Sequence, residues 1–169
     1  MNNLRNKFKG KFDQLKEKSD YERAEKIEEA MFDGAEDKEG KPYIDHLRFV
    51  SEQLESEEGK IVGLLHDLIE DTDTTLLELQ ELGFSEHVLY CLDLLTKVKG
   101  TSYSEYIDRI ILSGDEIAIR VKEADMRNNM DPERIANLSP EYQEKFRLKY
   151  PPQYEKLKKK IGEIENDRY

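Results

Sequence analysis

The sequence predicts an all-α protein, a bundle of about seven or eight helices. Three observations carry that prediction. Apolar residues recur at three- and four-residue spacing along nearly the whole chain. Valine, isoleucine and threonine form no alternating runs closed by hairpin dipeptides. Serine, aspartate, glycine and proline stand where helices should start or stop. At 169 residues the chain has the size of one ordinary domain. Its apolar share of 37%, beside 38% charged, is low but enough for one core.

Each element follows from its own residues. In the basic first 18 residues, Leu4, Phe8, Phe12 and Leu15 are at helical spacing and predict an amphipathic first helix. DYERAEKIEEAMF (20–32) predicts a helix with Ala24, Ile27, Ala30 and Met31 inward. DGAEDKEGKP is a loop, with glycines around its charges and a proline after them. YIDHLRFVSEQL predicts a helix with Ile44, Leu47, Val50 and Leu54 on one face. Ser56 is placed to cap EEGKIVGLLHDLIED, and Thr72 or Asp73 begins the next element. TTLLELQELG is a short helix closed by Gly83, and SEHVLYCLDLLTKV follows with Val88, Cys91, Leu92 and Leu95 inward. SYSEYIDRIILSG ends at Gly114, and Asp115 caps DEIAIRVKEADMRNNM. Beyond DPERIANLSPEYQ, Pro151 and Pro152 interrupt a charged helical tail. The helices of 1–32 and the tail of 132–169 thus flank a middle region, 40–131, that carries the motifs, all in one domain spanning 1–169.

Composition narrows the partners. A net charge of -11 argues against a nucleic-acid or anionic-membrane binder, since both need a positive surface. A locally basic or cation-bearing site for an anionic small molecule stays open. The single cysteine, Cys91, makes an intramolecular disulfide impossible and fits a reducing compartment. The opening MNNLRNKFKGKFDQLKEK has no apolar signal core, and no run is long enough to span a bilayer. A cytoplasmic location is expected. Nothing here indicates the oligomeric state.

The densest chemistry is HDLIED, 66–71, which follows the largely apolar GKIVGLL. On a helix His66 shares a face with Glu70, and Asp67 with Asp71. Ionised carboxylates at the boundary of an apolar helix need partners, and a divalent cation is a good one. Two further segments offer ligands: PYIDH, with His46, and EADMRNN, with Asp125 and Asn129 four apart. Two histidines and two aspartates would suit Mn, Fe, Zn or Co and leave positions open for water or substrate. The plainer alternative is a solvated acidic helix end with a hydrogen-bonded histidine. His87, in SEHVL, reads as surface. Spacing alone does not show that the three segments meet.

The motifs GKPYIDH, LLHDLIEDTDTT, LTK (95–97) and VKEADMRNNMD occur in this order between Gly40 and Asp131, about half the chain. With them the sequence resembles the HD-domain metal-dependent phosphohydrolases. More narrowly it resembles the hydrolase domain of RelA/SpoT-type (p)ppGpp hydrolases and small stand-alone alarmone hydrolases. The segment GTSYSEYIDRI also resembles a bacterial branch of stand-alone hydrolases of this superfamily. The resemblance implies an HD-domain helical bundle in which His46, His66, Asp67 and Asp125 bind one Mn²⁺. It implies Glu70 and Asp71 as the catalytic acids serving the attacking water, and Asn129 as a contact to the substrate sugar or a group that orients the site. It implies a nucleotide substrate, with (p)ppGpp 3′-pyrophosphohydrolase as the first activity to expect.

Among the bases able to serve phosphates, Lys38, Lys97 and Arg127 are the preferred substrate contacts. Lys41, Arg48, Arg109 and Lys122 read first as solvated surface charge. Arg109 shares a face with Tyr106 and is kept as a candidate for the same pocket. Tyr103 and Tyr106 either stack on a base or pack in the core. One departure bears on substrate. The alarmone hydrolases carry a basic run before Gly-x-Pro-Tyr whose arginine packs on guanine; here the run is AEDKEGKPY. Asp37 stands at the arginine's place and Lys38 alone keeps the basic pattern. An aspartate has no planar face and the opposite sign. That departure favours a second reading, an HD phosphohydrolase of another phosphate ester such as a nucleoside monophosphate or phosphorylated dinucleotide. A third is a non-catalytic metal- and nucleotide-binding module, against which Glu70 and Asp71 speak. No segment is long enough for the synthetase domain of the bifunctional relatives, so no pyrophosphokinase activity is expected.

Overall fold

The computed structural model describes residues 2–168. It begins with α1 (Leu4–Lys7), a 3-10 turn (Asp13–Glu17), α2 (Asp20–Met31), α3 (Tyr43–Glu52) and α4 (Glu57–Leu65). It continues with α5 (Leu68–Asp71), α6 (Leu76–Glu81), α7 (Glu86–Leu95), α8 (Tyr103–Ser113) and α9 (Glu116–Asn129). It closes with α10 (Pro132–Ala136), α11 (Pro140–Lys149) and α12 (Pro151–Asn166). Among the described residues there is no strand, only an isolated bridge between Glu36 and Pro42. No helix is long and apolar enough to cross a membrane.

The chain is an all-α bundle. Among the described residues eight helices have nine or more residues, and four short segments bring the total to twelve, above the expected seven or eight. Three breaks account for the excess. The predicted first helix is only one turn of α-helix followed by a 3-10 turn, because Gly10 turns the chain at φ 76°. Its apolar residues still face inward, and Leu4, Phe12 and Leu15 are buried. The predicted helix through HDLIED stops at Leu65 and restarts at Leu68, with Asp67 at φ -100°, ψ -1° between them. The tail divides into α10, α11 and α12, each opening on a proline at its first turn.

The caps at Ser56 and Asp115 are those the sequence suggests, but the helix expected to begin at Thr72 or Asp73 starts at Leu76, capped by Thr75, because Thr72 closes α5 instead. Ser56 accepts from the Gly59 N–H, Ser85 from Val88 and Asp115 from Ala118. Ser19 with Glu22, Thr75 with Glu78 and Ser102 with Glu105 form complete capping boxes. α4 is the central helix: it packs on α2, α3, α7 and α9, and Ile61, Val62, Leu64 and Leu65 are buried in it. Ala30 and Ile44, expected inward, are only half-buried. α9 crosses both α3 and α4 and is covered on its other side by α12. That crossing brings the ends of α3, α4 and α9 together.

Arg23 and Glu28 are buried with partners. The Arg23 guanidinium donates to the carbonyls of Leu15, Lys16 and Lys18, which holds the 3-10 turn against α2. Glu28 is held by a forked pair with Arg48 at 3.2 Å.

Candidate metal centre and adjoining cavity

His46 on α3, His66 and Asp67 in the α4–α5 joint, and Asp125 on α9 converge at one point. His46 Nε2 lies 3.2 Å from Asp125 Oδ1 and 3.9 Å from Asp67 Oδ2. His66 Nε2 lies 3.1 Å from Asp67 Oδ2 and 3.9 Å from Asp125 Oδ1. The two imidazoles meet edge-on with centroids 5.4 Å apart. One donor atom each from His46, His66 and Asp125 lies within 4.8 Å of the others.

The far side of each ring is committed. His46 Nδ1 is 2.7 Å from Asn128 Oδ1, and His66 Nδ1 is 2.8 Å from the Gly63 carbonyl. Both partners are oxygens, so each Nδ1 carries its proton and donates it. Arg134 also donates to Asn128 Oδ1. With each Nδ1 committed in this way, Nε2 is the ring nitrogen turned toward the two carboxylates. Nε2 of His66 is buried and has no hydrogen-bond partner, with Asp67 Oδ2 3.1 Å away. Two imidazole nitrogens and two carboxylate oxygens directed at one point are the donor set of a divalent transition metal.

The carboxylates have their own supports. Tyr43 donates its hydroxyl to Asp67 Oδ2 at 2.5 Å. Asp125 accepts from Lys122 Nζ on Oδ2 and from Asn129 Nδ2 on Oδ1, each at 2.7 Å. Burial alone would raise both acids. The positive partners outweigh it: Asp125 is held well below the carboxylate range, chiefly by Lys122, and Asp67 is brought to about 2, chiefly by His66. Burial lowers His66, but Asp67 and Asp125 raise it overall to about 9. Before any ion enters, a proton thus substitutes for it at this cluster.

Asp67 and Asp125 also line a cavity of about 460 Å³. Glu70 and Asp71 stand at it and are exposed. The Lys97 backbone N–H donates to Glu70 Oε1 at 3.0 Å. Although both side chains reach solvent, partial desolvation of the carboxyl groups at the cavity, with Asp67 beside them, pushes Asp71 up to about 6 and also raises Glu70. The opposite wall is aromatic. Phe146 and Tyr150 meet edge to face at 4.9 Å, and Tyr150 does the same with Tyr103 at 5.9 Å. Lys38 Nζ sits 4.6 Å from the Phe146 centroid and Lys149 Nζ 4.1 Å from that of Tyr103. Among the described residues neither lysine has a carboxylate within salt-bridge distance. Burial and the neighbouring cations lower both, Lys149 to about 8.

Of the residues singled out from sequence, the cavity brings together Lys38, Asp67, Glu70, Asp71, Lys97, Tyr103, Tyr106, Asp125 and Asn129. His46 and His66 are buried beside the carboxylates. Tyr106 belongs mainly to the core, with its hydroxyl donating to the Leu95 carbonyl. Tyr103 is half-exposed on the cavity wall. Arg127 and Arg109 lie elsewhere. Arg127 pairs with Glu123 and Gln53 over Phe49, and Arg109 with Asp93 on the outer face of α8.

Lys122, expected on the surface, is buried against Asp125 with its ammonium over the Tyr106 ring at 5.0 Å. The clue in the sequence is its place three residues before Asp125 in the apolar run IAIRV–K. Asp37 is not a bare negative charge: it and Glu39 grip Arg134 at 3.0 and 3.1 Å. Arg134, Phe146, Lys149 and Tyr150 come from the C-terminal third and carry no local mark of a site. No protein-family model matches the chain.

Proposed function

We propose that this chain is an Mn²⁺-dependent phosphohydrolase of the HD-domain superfamily that acts on a nucleotide. The first candidate reaction is removal of the 3′-pyrophosphate of (p)ppGpp. One observation carries the reading: four donor atoms of His46, His66, Asp67 and Asp125 converge beside two exposed acids, in a cavity whose far wall holds unpaired lysines. A divalent ion held by those four residues lowers the pKa of water and offsets phosphate charge.

The protein's own groups do the rest. Glu70 and Asp71, three and four residues beyond Asp67, reach the cavity as proton acceptors, and their raised proton affinities suit that role. The Lys97 N–H fixes one oxygen of Glu70 and leaves the carboxylate to orient and deprotonate the attacking water. Asn129, anchored on Asp125, extends an amide edge toward a sugar hydroxyl. Lys38 and Lys149 meet phosphate charge away from the reacting group, and Tyr103 and Phe146 flank a planar base.

A second reading, another phosphate ester of a nucleotide, draws on one observation. Asp37 is consumed in holding Arg134, so this loop presents no free guanidinium to a guanine. The test offers Mn²⁺-loaded protein (p)ppGpp, nucleoside monophosphates and NADPH and measures phosphate and pyrophosphate. Pyrophosphate from (p)ppGpp alone supports the first reading. Turnover of a monophosphate but not of (p)ppGpp selects the second. Bound metal without turnover of any substrate overturns both and leaves a binding module. Glu70→Gln should retain metal and lose at least about a hundredfold in rate, the usual scale of a missing general base.

A further inference from the structure

A second cluster of metal-ligating atoms lies away from the cavity. His87 and Cys91, one turn apart on α7, face Asp115 at the start of α9. His87 Nε2 is 2.6 Å from Asp115 Oδ2, and Cys91 Sγ is 3.3 Å from Asp115 Oδ1. One nitrogen, one sulfur and one oxygen lie within 4.8 Å of one another. His87 Nδ1 is 2.8 Å from Glu58 Oε2 at the start of α4, and Ser85 holds the other Glu58 oxygen.

We propose that His87, Cys91 and Asp115 form a second divalent-metal site, for an ion of the zinc or cobalt class, with Glu58 as the outer carboxylate on His87. Three features beyond proximity support it. The ligand set mixes thiolate, imidazole and carboxylate, which zinc and cobalt accept together and magnesium and calcium do not. Glu58 on Nδ1 is the carboxylate–histidine arrangement that fixes a ligating imidazole with Nε2 toward the ion. Access is graded: His87 is exposed and Cys91 fully buried, so an ion enters from solvent over the imidazole and leaves a fourth position for water.

The protons balance simply. Without an ion the buried Cys91 thiol donates to Asp115, and burial next to that carboxylate raises the thiol far above its ordinary value. On binding, the Cys91 proton and any proton on His87 Nε2 pass to solvent, and the cation takes their place. Asp115 keeps one oxygen on the Ala118 N–H and so caps α9 with or without metal. The site would fasten α4, α7 and α9 together at the end opposite the first cluster. Glu58 precedes His66 by eight residues and Asp115 precedes Asp125 by ten, about 12–15 Å along the helices.

The inference does not rest on the proposed phosphohydrolase activity, and its test is separate. The purified full chain is titrated with cobalt(II) and followed by absorption, then with zinc and followed by metal analysis. The expected result is a near-ultraviolet thiolate-to-cobalt charge-transfer band whose full amplitude corresponds to one thiolate-bound ion per chain, because the first cluster contains no sulfur. Cys91→Ser and His87→Ala should each abolish the band and one metal equivalent. Glu58→Gln should keep the band but weaken binding roughly 10–100-fold, the loss typical of a missing outer carboxylate. Zinc should raise the unfolding temperature of the His66→Ala protein, whose first cluster is broken, and not that of the His66→Ala, His87→Ala double variant. His66→Ala should leave the band intact. A cobalt titration with no thiolate band, or a band that His87→Ala does not alter, overturns the proposal whatever happens at His66.

Discussion

Gly63 lies directly against the backbone of Ser51: a β-carbon on Gly63 would sit 2.6 Å from the Ser51 Cα and 2.9 Å from its nitrogen. That contact sets how closely α4 passes α3. It also sets how near His66 comes to His46, since the Gly63 carbonyl anchors the His66 ring. Gly63→Ala forces two backbones apart, because the clash is with main chain and not with a side-chain tip. We expect a loss of about 2–3 kcal/mol in urea unfolding. Metal affinity at the His46–His66 cluster should fall as well. Gly59→Ala is the control: its contacts are side-chain atoms of Ser56 and Leu54 at 2.9 Å and beyond, which can shift.

Asn128 links two parts of the molecule. Its Oδ1 accepts from His46 Nδ1 and from Arg134, whose guanidinium is gripped by Asp37 and Glu39. The wall of the cavity is thus connected by hydrogen bonds to the His46 imidazole of the candidate metal cluster. Asn128→Ala removes the group that fixes the tautomer of His46. Metal affinity should drop roughly 10–100-fold with the four direct ligands intact, measured by competition with a chelator. An unchanged affinity would show that packing alone holds the His46 ring.

Arg23 tests how the N-terminal segment is fastened. Three carbonyls, of Leu15, Lys16 and Lys18, depend on one buried guanidinium, and the ring of Phe84 lies 5.3 Å from it. Arg23→Met keeps most of the volume but strands the carbonyls. The expected cost is about 2–4 kcal/mol, at the upper end for charged hydrogen bonds lost from a buried site. Amide hydrogen exchange should show the 3-10 turn opening before the α2–α4 core.

What the sequence discloses and what it hides divide along physical lines. Helix starts at Ser56 and Asp115 were legible because capping is local: each bonds a backbone N–H three residues on. The candidate ligands were legible because histidine and aspartate are costly next to apolar runs and so stand out at His46, His66, Asp67 and Asp125. The break at Asp67 was not legible, because HDLIED has helical spacing throughout, whereas the joint turns the Asp67 carboxylate toward the His66 ring beside it and the His46 ring on α3. Nor was the burial of Lys122, whose environment is made by Tyr103, Tyr106 and Asp125. The aromatic wall was hidden for the same reason: Phe146, Lys149 and Tyr150 reach the cavity only because α11 folds back over it, and no local period records that.

Lys149 supplies a prediction in which stability and binding move in opposite directions. Burial, Lys122 and Lys38 lower its pKa from 10.5 in the ordinary case to about 8 in the fold. A group lowered in the folded state makes the unfolded chain the stronger proton binder between those two values, so stability rises with pH across that window. Below about pH 8 the ammonium is charged in both states, and the full penalty for burying it is present. Lys149→Met removes the charge and keeps the stem. The variant should therefore be more stable than the unsubstituted protein at pH 7, by on the order of 2 kcal/mol. The advantage should shrink steadily from pH 8 to pH 10.5 as the unsubstituted protein sheds its proton. Urea unfolding of both proteins at pH 7 and pH 9.5 reads this directly. The same substitution should weaken an anionic nucleotide about tenfold, a loss of about 1.4 kcal/mol, seen as a raised KM with kcat nearly unchanged, since Lys149 meets charge away from the reacting group. A variant that is less stable at pH 7 and equal in KM would remove Lys149 from the cavity's anion-facing wall.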